Sequence, residues 1–378
     1  MGKRELVLIA VFVALGICVY QFTAPAPPPG SEDVSFGGIV NKLRRNIRGA
    51  RETAPADWTQ TTPVDAAVRE LRINISRPNE LTVIGEARSD VAVELHAVGR
   101  GYDEAEAKTA AASAQLRVER TGDAIVVSMD PALQRALPRN ARVEQVTVVL
   151  KVPQRLALRL EPHFGRFVAS DLASAEIMGS RGETRLRNIA GHVAMSHSGG
   201  KLEIDGAGSL KLTARNSSGS IARVGGTSTL DLNGGELRAE NIAGPLDIES
   251  RNTELELDAA KMAKPPFRYN GNGGQLRINH LHTETRIDGR NIDIEVTMEA
   301  AVPLTIYSTG EDINVTAPPA GYTLDAVATE GRLDIADGTL KPQEDGESRV
   351  NGPVRGGGPT ISLRATRGDI TVRKPEGK

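Results

Sequence analysis

The sequence is poor in aromatic side chains: one Trp, five Tyr and six Phe, 3% of 378 residues. Small-molecule pockets are lined mainly by apolar and aromatic groups, so this shortage argues against a large ligand cavity. Cysteine is nearly absent. Cys18 is the only one, which excludes an internal disulfide and any multi-cysteine metal site; it suits an oxidising compartment. A positive surplus is missing too, with 46 Lys plus Arg against 48 Asp plus Glu and a net charge of −2. Without a basic footprint, no nucleic-acid partner is expected. No phosphate loop, EF-hand pattern or Gly-x-Ser-x-Gly elbow occurs.

Glycine is what the chain has in excess, 39 residues, against about 7% in average usage. Glycine surplus with aromatic shortage points to many short strands joined by many turns. The expected class is all-β.

Lys3, Arg4 and Glu5 precede an uncharged run of 17 residues, Leu6 to Phe22. That length lies between a signal-peptide core and a span of about 20 residues. Cleavage after Ala26 would leave Pro27 next to the cut, and Ile17 before Cys18 departs from a lipoprotein pattern. Residues 1–22 are therefore read as an uncleaved membrane helix with a cytoplasmic N-terminus and the body periplasmic or extracellular. Residues 23–65 read as a tether, stiffened by Pro25 and Pro27 to Pro29. Within it Ile39, Leu43 and Ile47 share a helical face among Lys42, Arg44, Arg45, Arg48 and Arg51. A basic amphipathic helix on anionic headgroups and a solvated linker helix both fit that spacing.

Period-two alternation begins at Leu71-Ile73-Ile75 and returns at Val91-Val93-Leu95, then in 116–118, 125–129, 146–150 and 156–160. Such alternation marks strands with one buried face. Residues 103–115 interrupt it with strong helix formers and no Gly or Pro, predicting one short helix. Residues 66–160 are thus an N-terminal β region.

From 161 to 376 the sequence repeats a unit Gly-x-[Leu/Ile]-x-apolar. It is clear at Gly200, Gly235, Gly274, Gly331 and Gly368, weaker at Gly219, Thr253, Asn291 and Gly310, and faint near Val350, with Gly182 as a further turn glycine. The 168 residues from Gly200 to Gly368 hold nine intervals of about 18.7 residues, a period typical of stacked-coil architectures. A second family lies between the first, at Gly191, Gly208 and Gly244, and Asn-Ile-Ala-Gly recurs verbatim at 188–191 and 241–244. Gly, Asn and Ser supply the tight or positive-φ turns. One coil cannot bury its inner face alone, so a β-solenoid with a thin Leu/Ile/Val/Ala core is predicted, too narrow for large rings.

Period-two strands with one alanine-rich helix, iterated Gly-x-Ile/Leu-x-Val units and the closing Thr366-Arg-Gly-Asp-Ile-Thr-Val372 resemble the bacterial putative-adhesin domain family over residues 65–375. The resemblance implies β-strand repeats forming a solenoid, often behind a membrane segment, and brings no catalytic residues. The stretch from Lys341 to Gly358 departs from the repeat.

Three groups of residues invite chemistry. Arg367-Gly368-Asp369 spells an integrin-type triplet, yet Gly368 is the repeat's turn glycine. His280 and His282 could form a zinc half-site, but only Glu284 lies near as a third ligand. Glu236, Glu240, Asp247 and Glu249 could supply acid pairs for glycoside cleavage, but they alternate with Lys and Arg as solubilising charges do. The expected function is a non-enzymatic, membrane-anchored envelope scaffold or adhesin that binds an envelope protein or glycan and needs no cofactor. An envelope stress sensor and a polysaccharide-active solenoid enzyme are the competing readings.

Overall fold

The computed structural model describes residues 52–75, 78–129, 141–260, 266–336, 340–344 and 347–375, with positions 15, 16, 19, 137 and 262. The chain is all-β with one short helix among these residues. No described helix is long and apolar enough to cross a membrane; most of the run Leu6 to Phe22 lies outside the described residues, as do Lys42, Arg44, Arg45, Arg48 and Arg51. The last part of the expected tether is a strand, Glu52–Pro63. Its inward positions are Ala54, Ala56, Trp58, Gln60 and Thr62, small or polar except for Trp58, so its alternation is weak in the sequence.

Two compact units divide the chain: residues 1–56, 97–114 and 131–145, and residues 57–96, 115–130 and 146–378. The first holds the helix, Glu104–Ala112. Asp103 caps it by accepting a hydrogen bond from the Glu106 amide at 2.8 Å, and the Glu106 carboxylate accepts from the Tyr102 amide at 3.0 Å. Reciprocal capping of this kind satisfies amides that the first turn leaves unpaired. Ala107, Ala110 and Ala111 are its buried residues. They approach Gly99 and Gly101 so closely that a Cβ on either glycine would overlap the Ala107 backbone. Small residues on both sides set this close approach.

The second unit is built on parallel pairing between strands. Leu212 faces Leu230, and the ladder continues through Ile248, Tyr269, Ile287 and Ile306, in steps of 18 to 21 residues. A second ladder passes through Leu237, Leu255, Leu276, Ile294 and Ile313. These residues are buried while those between them are partly or fully exposed. The large rings expected to be excluded are nonetheless inside: Tyr269, Tyr322, Phe167 and Phe267 are fully buried. Tyr269 fits because Gly271, two residues along, leaves room; a Cβ there would strike the ring and its hydroxyl. Burial pushes the Tyr269 phenol up to about 12, against a smaller opposite pull from the Ser250 hydroxyl.

At both ends of this unit the spatial order leaves the sequence order. Leu71 sits between Ile125 and Leu158, and Leu81 between Val148 and Phe167. At the other end Leu363 sits between Ile306 and Ala326, and Ile370 between Ile313 and Leu333. The last strands of the chain, Thr360–Thr366 and Ile370–Arg373, are therefore threaded between two earlier rungs. The terminal strands of the first ladder meet antiparallel partners, Leu116–Thr121 on Ala124–Met129 and Ser348–Val354 on Tyr322–Thr329. The faint copy near Val350 is this antiparallel strand. Covering an open edge in this way blocks pairing with another chain.

The turns explain the repeated glycines and asparagines. Asn216, Gly234, Asn252, Gly273, Asn291 and Gly310 all have positive φ, between 48° and 103°. Each Asn side chain lies where the next glycine has no Cβ; at Gly234 an added Cβ would sit 2.6 Å from Asn216 Oδ1. At another turn Asn188 and Asn241 have φ of 50° and 55°, Ile189 and Ile242 enter the core, and Gly191 and Gly244 closely approach neighbouring carbonyls. That is why Asn-Ile-Ala-Gly occurs twice.

Candidate functional site

The outward residues of the first ladder form three registered rows. One runs Lys211, Thr229, Asp247, Arg268, Arg286, Thr305; the next runs Thr213, Asp231, Glu249, Asn270, Asp288, Tyr307. The third runs Arg215, Asn233, Arg251, Asn272, Arg290, Thr309. Tyr307 is the feature missed in the sequence. It is 43% exposed, because its strand position points outward while Ile306 and Ser308 point in. The Arg286 guanidinium lies 5.2 Å from its ring centroid, a cation–π distance. Asp288 holds that guanidinium with Nε 2.9 Å from Oδ2 and raises its pKa, first by hydrogen bonding and then by charge.

Beside Tyr307 the face is indented. Gly271 and Gly289, paired in register, contribute only backbone there, since their missing side chains would point inward, at the Tyr269 ring and at Ile292 and Ile294. The depression of about 360 Å³ is lined by them and by Asn270, Asn272, Asp288, Arg290, Tyr307 and Thr309. An exposed ring beside amide, carboxylate and guanidinium groups offers a stacking surface with hydrogen-bond donors and acceptors around it. The only early signal was Tyr307 at an odd position of an alternating strand.

The candidate carboxylates do not converge. Glu236 and Glu240 project from the second ladder, Asp247 and Glu249 from the first. A second depression of about 360 Å³ holds Glu236, Glu254 and Glu256 with Arg238 and Arg277, but Glu236 and Glu254 are exposed. A general acid needs burial to retain its proton, which this arrangement does not provide.

Gly182, Gly200, Gly235 and Gly274 each lie tight against the preceding rung, at Gly165, Gly182, Ser217 and Thr253, and Gly368 and Gly331 pack against Glu311 and Gly368. Gly310 lies at the positive-φ turn, with Asn291 beside it. Gly219 lies inside a strand, opposite Leu237, while Ser217 takes the place facing Gly235. In the Arg367-Gly368-Asp369 triplet, Asp369 is committed to the fold: its carboxylate accepts from the Arg332 amide, and its own amide donates to Asp312, both at 2.8 Å. His280 Nδ1 is 3.2 Å from Asp258 Oδ1, whereas His282 Nδ1 is 3.1 Å from the His280 carbonyl. No group of three metal-ligating side chains occurs among the described residues.

Two other histidines are buried, His163 edge-on to Phe167 at 5.9 Å and His197 with Nδ1 2.8 Å from Ser217 Oγ. Burial lowers both pKa values, against weaker pulls from the backbone at Arg166 and Gly182. The unfolded chain, with histidines near 6.5, therefore takes up protons first. Stability is full above about pH 6.5 and falls below it, at most about 1.4 kcal/mol per pH unit for each histidine. Thermal unfolding at pH 7.5 and 5.5 checks this: the acid loss should shrink in a His163→Gln/His197→Gln variant, and an unchanged loss would remove these residues as its cause.

The geometry thus defines an all-β protein with registered polar rows and an exposed ring, Tyr307, beside a depression in that face. No family model and no curated protein matches the chain. Among solved structures, a "putative cell adhesion protein" from Clostridium sporogenes is similar at 9% identity, covering 85% of this chain and all of that one, with a TM-score of 0.20. A "putative adhesin" from Parabacteroides distasonis is similar at 10% identity over 85% and 97%, TM-score 0.28. Another from Bacteroides fragilis is similar at 10% over 86% and 98%, TM-score 0.27. At such scores the functional reading rests on this chain's own residues.

Proposed function

We propose that the chain is a non-enzymatic, adhesin-like binding module of the cell envelope: a membrane-anchored β-solenoid whose contact surface is the Tyr307 face. The exposed Tyr307 shelf is the observation that carries it, because this ring stands beside a depression lined by amide, carboxylate and guanidinium groups, which together offer stacking and hydrogen bonding. The parallel steps of 18 to 21 residues support the solenoid reading, and the uncharged run Leu6 to Phe22 supports the anchor. Exposed, unconverged carboxylates favour binding over glycoside cleavage.

The test is retention of the purified full chain on arrays of envelope glycans and extracellular proteins. Tyr307→Ala should weaken retention about tenfold, the scale of one lost stacking contact, with an unchanged melting temperature. No retention of the parent on any array, equal retention of the variant, or release of reducing ends from a glycan would each reject the proposal.

A further inference from the structure

The third outward row has a feature the other two lack. It alternates Arg215, Asn233, Arg251, Asn272 and Arg290 on successive rungs of the ladder, all exposed. None of the three arginines forms an ion pair within the unit's described residues, whereas Arg286 and Arg364 are held by Asp288 and Asp325. Rungs lie about 4.8 Å apart, so the free guanidinium groups recur about every 9.6 Å. The row contains no carboxylate. Of the acids two residues before its members, Asp288 is already engaged by Arg286, while Asp231 and Glu249 stand before Asn233 and Arg251. The row ends in the depression, where Asn272 and Arg290 meet Tyr307.

We propose that this row binds a linear acidic polysaccharide with a carboxylate on every second sugar, laid across the strands so that Arg215, Arg251 and Arg290 take successive carboxylates and Tyr307 stacks on a ring. The proposal rests on the adhesin-like reading and names its ligand class. Guanidinium suits such a ligand because its planar fork matches a carboxylate bidentately, which an ammonium cannot do. The intervening Asn233 and Asn272 present amide donors and acceptors to the uncharged sugar between. Two extended sugar rings advance by a distance of the same order as two rungs. The second ladder serves less well: its outward row Glu236, Glu254, Gln275, Asp293 is acidic, and in the row Arg238, Glu256, Arg277, Glu295 each arginine is paired with a carboxylate.

Calorimetry of the full chain with a hyaluronan decasaccharide tests this, with a neutral cello-oligosaccharide of equal length as control. Hyaluronan should bind, more weakly at 200 mM than at 50 mM salt, and the neutral chain should not. Arg251→Gln/Arg290→Gln should weaken binding about tenfold or more, Arg251→Lys/Arg290→Lys should restore only part of it, and Arg238→Gln/Arg277→Gln on the second ladder should change nothing. These substitutions are at exposed positions, so a shared melting temperature certifies the fold. Equal binding of the neutral chain, equal effects of the two glutamine pairs, or no binding of hyaluronan overturns the proposal. If the full chain is retained on the protein arrays through Tyr307 but binds no hyaluronan, the acidic-glycan assignment fails and the adhesin-like reading stands.

Discussion

Gly200→Ala is expected to destabilise the protein by about 3 kcal/mol or more, while Gly199→Asn, one residue earlier, changes stability by less than about 0.5 kcal/mol. Gly200 has φ of 100°, and a Cβ there would overlap the Gly182 carbonyl oxygen and carbon. That carbonyl belongs to the facing backbone, so it cannot rotate away as a side chain would. Even one methyl group therefore forces the two rungs apart, adding to the cost of positive φ. Gly199 also has positive φ, 75°, but the nearest atom to an added Cβ is Arg181 Nε at 3.9 Å. It immediately precedes Gly200 as Asn216 precedes Ser217 and Asn252 precedes Thr253, and both asparagines also have positive φ, 48° and 50°. Asparagine tolerates this conformation better than other side chains. Total stabilities of ordinary domains are about 5–15 kcal/mol, so Gly200→Ala should lower the urea midpoint clearly and reduce soluble yield. A Gly200→Ala midpoint equal to the parent's, or a Gly199→Asn loss as large as that of Gly200→Ala, contradicts this account.

These two glycines also show what was legible in the sequence. Class and strand positions were readable, because Leu, Ile and Val at every second residue leave no other way to bury one face. The helix was readable for the same kind of local reason: nine residues between Asp103 and Ser113 with no breaker. Gly200 and Gly235 were readable as tight positions because a repeat brings them up at fixed intervals. Three things were not. Gly219 matches the motif at its glycine and at Ile221, with Arg223 in the apolar place, but Asn216 and Ser217 already make that turn, so register had to come from the rungs on either side. The strand Glu52–Pro63 has only a weak apolar rhythm, Ala54, Ala56 and Trp58, which gives way to Gln60 and Thr62. Tyr269 and Tyr307 are the same residue type on alternating strands of one ladder, and only the register separates a core ring with a phenol near 12 from an exposed platform. Sequence alternation assigns a face relative to neighbours; it does not say which polar face is left with free arginines.

The threaded C-terminal strands lead to the other large expected effect. In a stack that followed the sequence, removing residues 359–378 would shorten the protein by one rung and leave the rest folded. Here the deletion removes the rung between Leu304–Thr309 and Tyr322–Thr329, and between Ile313–Thr316 and Leu333–Ile335. Ile361, Leu363, Ala365, Ile370 and Val372, each 0–3% exposed, disappear from the core. Two unpaired parallel edges face a gap instead of one facing solvent, and unpaired edges with hydrophobic flanks invite pairing with other chains. The 359–378 deletion should therefore aggregate, whereas the longer deletion 317–378 should be the more soluble protein, since it removes the displaced strands together and leaves a single edge at Leu304–Thr316. A milder probe of the same rung, Leu363→Ala, should cost about 2–5 kcal/mol as a buried cavity. Size-exclusion chromatography and the soluble fraction of both truncations decide the matter. If the shorter deletion is monomeric and melts like the parent, Thr360–Arg373 is not an interior rung; if the longer one aggregates more, edge exposure is not what governs solubility at this end.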